Sequence, residues 1–181
     1  MTKLTLKAFM NESSPTPSNV DTSFDVGKVH FDNAKGLGAT PMGQNVHYRG
    51  AVAWIKSSTF RALAHSGDRS DDATKIAEKI RGGQSIAVPF LDLTLIFDED
   101  GVVKRVKVSG HEGRARADAF ALINGNVYMP VQLHPSQLRA RDLSQQFFEF
   151  IEDHGIVSEG GSSTVYPDAD RYFWNGQEIK Q

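Results

Sequence analysis

The chain contains no cysteine, and it contains no long apolar run. The first absence excludes disulfide scaffolds, thiolate zinc sites, iron–sulfur clusters and cysteine nucleophiles. The second excludes a membrane-spanning helix, which needs roughly 20 consecutive apolar residues. Residues 1–10 hold lysines but lack the apolar core of an export signal. We therefore expect a soluble cytoplasmic protein with no membrane partner.

The sequence also lacks an excess of charge of either sign. It has 20 Lys and Arg residues against 22 Asp and Glu residues, which gives a net charge of −2. This balance disfavours a general nucleic-acid-binding surface, although it permits a local basic patch. With 181 residues, 39% of them hydrophobic and 23% charged, the chain has the length and composition of one globular domain.

The composition changes along the chain. Residues 11–19 are rich in Ser, Pro and Asn, and residues 35–44 form an irregular glycine-rich stretch. We therefore interpret residues 1–44 as an N-terminal arm and glycine-rich loop. Residues 45–160 form the body of the predicted domain. Residues 161–181 are rich in aromatic side chains, and we expect this C-terminal tail to pack on the body.

Hydrophobic periodicity predicts strands and helices in alternation. The predicted strands are 46–54, 86–97, 102–108 and 127–133, and the predicted helices are 57–64, 70–82, 114–123 and 142–154. Ser57 or Ser58 is the expected cap of the first helix, and Ser70 or Asp71 that of the second. Strand, helix and strand within residues 102–133 indicate a crossover connection. We therefore predict an α/β (α+β) fold, a small mixed sheet with flanking helices.

One segment combines the features of a phosphate-binding site. Gly110 and Gly113 lie in a loop between a predicted strand and a predicted helix, and Arg114 and Arg116 lie in the first turn of that helix. Glycine lets the backbone approach an anion, and a helix start offers free N–H groups and partial positive charge. Arginine adds charged donors that match phosphate oxygens. We predict that these four residues bind phosphate.

Two further residues of this loop are candidates for chemistry. Glu112 is the lone acid within residues 104–116, and it would hold Mg²⁺ together with the phosphates or accept a proton. His111 is the adjacent catalytic candidate. The same pattern also fits an ordinary solvated turn, in which Arg114 pairs with Glu112 or Asp118.

A second basic spot follows the strand predicted at 127–133. Arg139 and Arg141 lie near the end of this strand, where they could face the phosphate loop, so we include them among the candidate phosphate- and nucleotide-binding residues. A solvated loop is the alternative interpretation. The sequence contains no Walker loop, nucleophile elbow or Rossmann glycine motif, so ordinary ATPase, hydrolase and dehydrogenase functions have no support.

The phosphate loop carries a resemblance to a known superfamily. The run Glu112-Gly113-Arg114-Ala115-Arg116, followed by Ala119, resembles the Asp-Gly-x-His-Arg-x-x-Ala motif of ParB/sulfiredoxin-like domains. The order of predicted elements around it is also similar. The resemblance implies that the loop and the following helix hold the phosphates of a nucleotide. Members of that superfamily include CTP-binding partition proteins, sulfiredoxins, a free-serine kinase and nucleases.

A closer resemblance is to bacteriophage and mobile-element proteins of unassigned activity, over residues 31–157. It is carried by several short patterns along the chain. These patterns are Lys35-Gly36-Leu37-Gly38-Ala39, Tyr48-x-Gly50, Ser58-x-Phe60-x-x-Leu63-Ala64, Pro89-Phe90-Leu91, His111-Glu112-Gly113-Arg114 and Leu138-Arg139-Ala140-Arg141. The resemblance implies a phage-type protein, located in the host cytoplasm or in the virion.

Departures from the superfamily pattern narrow its implications. Ala115 stands where the motif has histidine, so any role of that histidine is lost. Sulfiredoxin chemistry needs a cysteine, which this chain lacks. Partition proteins carry a DNA-binding helix-turn-helix after the nucleotide domain, and the residues after Asp142 contain only one clear helix, which disfavours chromosome partition.

Three functions follow from these observations. The first is binding of a nucleotide or other phosphate ligand, with Mg²⁺ as cofactor and with phosphoryl transfer or nucleotide hydrolysis as the reaction. The second is a non-enzymatic phage protein, either a virion component or an inhibitor of a host or defence protein. The third is a nuclease that binds nucleic acid, which the net charge of −2 disfavours.

Overall fold

A computed structural model describes residues 24–32, 51–64, 67–135, 150–151, 153–158, 164–165, 171–174 and 177–179. The strands are β1 (Phe24–Val26), β2 (Val29–Asp32), β3 (Ala51–Lys56), β4 (Ile86–Ala87), β5 (Phe90–Phe97), β6 (Val103–Glu112), β7 (Tyr128–Pro135), β8 (Ile156–Val157), β9 (Thr164–Val165), β10 (Arg171–Trp174) and β11 (Gln177–Ile179). The helices that are described over their whole length are α1 (Ser57–Leu63), α2 (Ser70–Arg81) and α3 (Arg114–Asn124).

The strands form two mixed sheets, so the expected α+β architecture is confirmed. The larger sheet has eight strands in the order β11-β10-β3-β7-β5-β6-β8-β9, and the smaller has the order β1-β2-β4. Strands β5 and β6 are antiparallel neighbours, whereas β5 and β7 are parallel. Helix α3 therefore carries the chain from β6 across β5 to β7, so the connection is not a meander, as the sequence indicated. The two strands that it joins are antiparallel, however, and do not form the parallel strand–helix–strand unit.

The β5–β6 hairpin follows from alternating apolar residues around an aspartate turn. Leu91, Leu93 and Leu95 of β5 are buried in the core, and intervening residues face the other side. At the turn, the Asp98 carboxylate oxygen Oδ1 accepts hydrogen bonds from the backbone N–H groups of Asp100 and Val102, at 3.0 and 2.8 Å. The aspartate thus closes the turn with its side chain, as such residues do in tight turns.

The helices complete the core through narrow apolar faces. Helix α2 buries Ala73, Ala77 and Ile80, and α3 buries Phe120 against Phe31 of β2, with ring centroids 5.6 Å apart. Burying one such phenylalanine side chain contributes about 2–3 kcal/mol. Part of the predicted N-terminal arm, strand β2, therefore contributes to the core of the body.

The caps of α1 and α2 differ from those that the sequence predicted. Helix α1 begins at Ser57, and its first N–H groups are capped by Asn126, whose Oδ1 accepts hydrogen bonds from the Ser57 hydroxyl and the Ser58 backbone N–H, both at 3.1 Å. Helix α2 begins at Ser70, and Asp68 accepts the Ser70 N–H. Serines inside the first turn cannot cap their own helix, because the cap residue precedes the helix.

Asp68 provides a test of pH dependence. Its Oδ1 accepts the backbone N–H of Ser70 at 2.9 Å. This bond, and to a lesser degree a hydrogen bond from the Ser70 hydroxyl, lowers the pKa of Asp68 from its ordinary value. Because the pKa is depressed in the folded state, the interaction stabilises the fold above the ordinary pKa and is lost as pH falls through the folded-state pKa. We expect an NMR titration to give Asp68 a midpoint below the ordinary value of an aspartate, and Ser70→Ala to raise it. A midpoint at or above that value in the native chain would contradict this assignment.

Several sequence predictions concern residues with few or no described contacts. The glycine-rich loop 35–44 lies outside the described residues, as do Arg139 and Arg141. Of the helix predicted at 142–154, Phe150 and Ile151 are described, and both are helical and buried. In the C-terminal tail, β10 pairs with β3 and extends the larger sheet. Within the described part of the chain, no helix has the length and apolar character needed to cross a membrane.

Candidate functional site

The predicted phosphate loop lies at the junction of β6 and α3. Strand β6 ends at Glu112, Gly113 occupies the N-cap position, and Arg114 is the first helical residue. Gly113 has φ +108 and ψ 20, a conformation that residues with a side chain rarely adopt. It makes no side-chain cap hydrogen bond, so the first turn of α3 presents backbone N–H groups that have no partner within the helix. The junction therefore has the partial positive charge of a helix start.

Close packing against the start of β5 fixes the position of Gly113. A Cβ atom on Gly113 would lie 2.8 Å from the Cβ of Pro89 and 2.9 Å from Nη2 of Arg116. The carbonyl of Pro89 in turn accepts the backbone N–H of Gln132 in β7, at 2.9 Å. The loop backbone thus lies directly on the central strands, where only a residue without a side chain fits.

Arg116 is the electrostatic centre of the junction. Its side chain is only 22% exposed, and its Nε is buried and has no hydrogen-bond partner among the described residues. Its Nη2 lies 3.8 Å from Oε1 of Glu112, a carboxylate whose side chain is 63% exposed. Burial lowers the pKa of Arg116, and the charge of Glu112 opposes that effect only in part. The guanidinium is therefore a desolvated positive charge that has, in the described part of the chain, one loosely placed counter-ion.

Arg114 lies on a different side of α3. Residues two positions apart on a helix do not face each other, and the Arg114 guanidinium lies against Gly67, in the connection between α1 and α2. A Cβ on Gly67 would be 2.8 Å from Nη1 of Arg114. The two arginines that the sequence grouped as one phosphate clamp therefore flank the start of α3 from two directions.

Arg61 was not among the site residues predicted from the sequence, and neither was its pairing with Asp118. Arg61 of α1 contacts Asp118 of α3, with Nε 3.1 Å from Oδ1, and its Nη2 donates a hydrogen bond to the carbonyl of Gly67 at 2.8 Å. Of the two carboxylates considered as partners of Arg114, the structure thus places Asp118 beside Arg61 and Glu112 beside Arg116. No local signal indicates the Arg61–Asp118 pair, because it joins two helices that are far apart in sequence.

The remaining candidate residues lie in β6 or outside the described chain. Gly110 pairs with Asp92 beside an irregularity of the ladder, and a Cβ there would lie 2.9 Å from the Asp92 Oδ2. The absence of a side chain at Gly110 therefore makes room for a carboxylate of the neighbouring strand. His111 is half-buried and pairs with Leu91. Arg139 and Arg141 are not described, so their role stays a prediction.

Glu112 is the carboxylate of the junction that we consider as a ligand for a phosphate-bound cation. Among them, no group of three or more His, Asp or Glu side chains could hold a metal ion by itself. Glu112 is exposed at the junction, and Mg²⁺ commonly binds through one or two carboxylates together with substrate phosphates. A Mg²⁺–phosphate pair fits this single carboxylate, whereas a metal site built from protein ligands alone does not.

No protein-family model, curated protein or solved structure matches the chain. The resemblance to the ParB/sulfiredoxin-like superfamily stays a prediction from the sequence. The function is therefore inferred from the residues of the β6–α3 junction themselves.

Proposed function

We propose that the protein binds a nucleotide or another phosphate ligand at the β6–α3 junction, as ParB/sulfiredoxin-like domains do. The single observation that carries this proposal is the state of Arg116. Its guanidinium is largely buried, its Nε has no hydrogen-bond partner among the described residues, and Glu112 is 3.8 Å away and mostly exposed. Burying the guanidinium without full hydrogen bonding raises the free energy of the folded chain, and an anion bound to Arg116 would lower it again.

A phosphate oxygen would supply the hydrogen-bond acceptor that the Nε of Arg116 lacks among the described residues. Hydrogen bonds between charged groups contribute about 1.5–3 kcal/mol each, and a buried donor without a partner gains most from them. The first N–H groups of α3 lie in the same turn, and a helix start of this kind offers its free N–H groups to an anion. The proposal thus joins one desolvated side chain with the ordinary anion affinity of a helix start.

The proposed chemistry assigns separate roles to Glu112 and His111. Glu112 would hold Mg²⁺ with the phosphate oxygens or accept a proton, and His111, the preceding residue of β6, would act as a second proton acceptor. Phosphoryl transfer and nucleotide hydrolysis are catalysed mainly by positioning and electrostatic stabilisation, so the site needs few groups. The lone carboxylate and two arginines at the start of α3 supply these groups.

A non-enzymatic phage protein is the second candidate function. It is favoured by the placement of Glu112 next to Arg116, which gives that arginine a structural counter-ion. In this case, the β6–α3 junction would be a structural feature that binds no phosphate ligand, and a protein partner would be bound elsewhere on the surface. The two candidates differ in whether a nucleotide stabilises the fold.

Thermal unfolding with added nucleotides tests the proposal. The panel is ATP, CTP, GTP, NAD and ADP-ribose, each with Mg²⁺. A ligand at a hundredfold its Kd adds about 2.7 kcal/mol to the free energy of unfolding, which for this chain length raises Tm by about 5–10 °C. We expect such a rise with at least one member of the panel, and its loss in Arg116→Ala.

The matched control is Arg105→Ala, which removes an exposed arginine from β6. It should retain the full ligand-induced rise in Tm. If no compound stabilises the native chain, or if Arg116→Ala responds like the native chain, the proposed function is wrong and the second candidate is favoured.

A further inference from the structure

Arg61 connects three parts of the chain through one guanidinium. It belongs to α1, its Nη2 donates to the Gly67 carbonyl at 2.8 Å, and its Nε lies 3.1 Å from Oδ1 of Asp118 in α3. Its side chain is 24% exposed, and its Nη1 is buried without a hydrogen-bond partner in the described part of the chain. The planar group of arginine can make both contacts at once, which a lysine ammonium cannot do with the same geometry.

Gly67 links Arg61 to the proposed phosphate site. A Cβ atom on Gly67 would lie 2.8 Å from Nη1 and 3.7 Å from Cζ of Arg114, so the Arg114 guanidinium rests on the backbone of this turn. Asp118 lies one helical turn after Arg114, on the same face of α3. The contacts of Arg61 therefore hold the Gly67 turn on the same side of α3 from which Arg114 extends.

We infer that Arg61 is a positioning residue that fixes Arg114 through the Gly67 turn. The hydrogen bond from Arg61 holds the Gly67 carbonyl close to α3. The Gly67 turn then limits the positions that the Arg114 guanidinium can adopt. A long side chain that is held in one place loses less entropy when it binds an anion, which favours binding. The effect on ligand affinity rests on the proposed function, whereas the effect on Arg114 itself does not.

Two substitutions change the position of the Arg114 side chain without changing the net charge of the chain. Gly67→Ala leaves every charge in place but puts a methyl group where the Arg114 guanidinium lies. Arg61→Lys keeps the positive charge but loses the simultaneous contacts to Gly67 and Asp118. Their controls are Gly82→Ala, at the exposed end of α2, and Arg69→Lys, an exposed arginine whose Nη1 is 3.4 Å from Asp72.

The first readout is the Nε–H signal of Arg114 in ¹H–¹⁵N NMR spectra of the ligand-free chain. We expect this signal to move or broaden in Gly67→Ala and in Arg61→Lys, and to stay in place in both controls. An unchanged Arg114 signal in both test variants would overturn the inference. If one test variant does not fold, the other decides.

The second readout is the affinity for inorganic pyrophosphate with Mg²⁺, measured by calorimetry. We expect each test variant to bind about tenfold more weakly than the native chain, because an Arg114 side chain that is no longer held in place must be immobilised when the ligand binds. Equal affinity in native chain and variants would overturn the link between Arg61 and the ligand. If the native chain does not bind pyrophosphate, this result contradicts the proposed function. The NMR signal of Arg114 then remains the test of whether Arg61 positions Arg114.

Discussion

Replacing Gly113 by alanine is expected to lower the free energy of unfolding by about 2–4 kcal/mol, because backbone strain and overpacking act together. The residue has φ +108, which an alanine adopts only with strain. Its Cβ would also meet the Cβ of Pro89 at 2.8 Å and the Cα of Pro89 at 3.0 Å. Neither contact is the end of a flexible side chain, so β5 or the start of α3 would have to move.

Gly83 offers a matched control for this substitution. It has φ +86, but a Cβ there would have no neighbour within 4 Å. Gly83→Ala should therefore show the backbone strain alone, about 1 kcal/mol. Urea unfolding of both variants measures the difference. Equal losses in the two variants would mean that Gly113 is not fixed by its packing against Pro89.

Arg116→Met is expected to abolish the nucleotide-induced rise in Tm while leaving the ligand-free chain at least as stable. Methionine has a similar length and carries no charge that must be desolvated. Replacing a poorly compensated buried charge by an apolar side chain is neutral or stabilising, here by about 0–1 kcal/mol. The partner Glu112 is mostly exposed, so water can solvate it after the change.

The stability without ligand and the Tm response to nucleotides together distinguish a ligand-binding role of Arg116 from a structural one. Urea unfolding without ligand gives the stability, and thermal unfolding with the nucleotide panel gives the response. A loss of more than about 2 kcal/mol without ligand would indicate that the contact with Glu112 is structural, as the second candidate function requires.

Local patterns were sufficient to predict the helices around the site. Helices α2 and α3 were predicted at 70–82 and 114–123, and each differs from the observed helix by one residue at its C-terminal end. Both have an apolar stripe of helical period and a glycine at the end, and these signals depend only on neighbours in sequence. The placement of Arg114 and Arg116 in the first turn of a helix followed from the same signals and is confirmed.

Contacts between distant segments could not be predicted in this way. The cap of α1 comes from Asn126, the counter-ion of Arg61 is Asp118, and the tail strand β10 pairs with β3. Each contact joins segments that are far apart in the sequence. A hydrophobic pattern records which residues are buried but not which partner each of them meets.

The same distinction between local sequence signals and long-range contacts applies to the candidate site. The glycines and arginines of the loop were visible in the sequence, but their surroundings were not. The contact of Gly113 with Pro89, the place of Arg114 against Gly67 and the isolation of the Arg116 Nε all depend on tertiary packing. The proposed function rests on the buried Nε of Arg116, which has no hydrogen-bond partner among the described residues, and no spacing of residues indicates this state.

An NMR titration of the ¹⁵N-labelled chain with Mg²⁺–ATP and Mg²⁺–CTP tests the central claim most directly. If phosphate binds at the start of α3, the backbone amide signals of Gly113, Arg114 and Ala115 will shift and saturate with at least one nucleotide. The same signals in Arg116→Met will stay in place. Shifts confined to the exposed basic residues of β6, such as Lys104 and Lys107, or no saturable shift at all, would contradict the account.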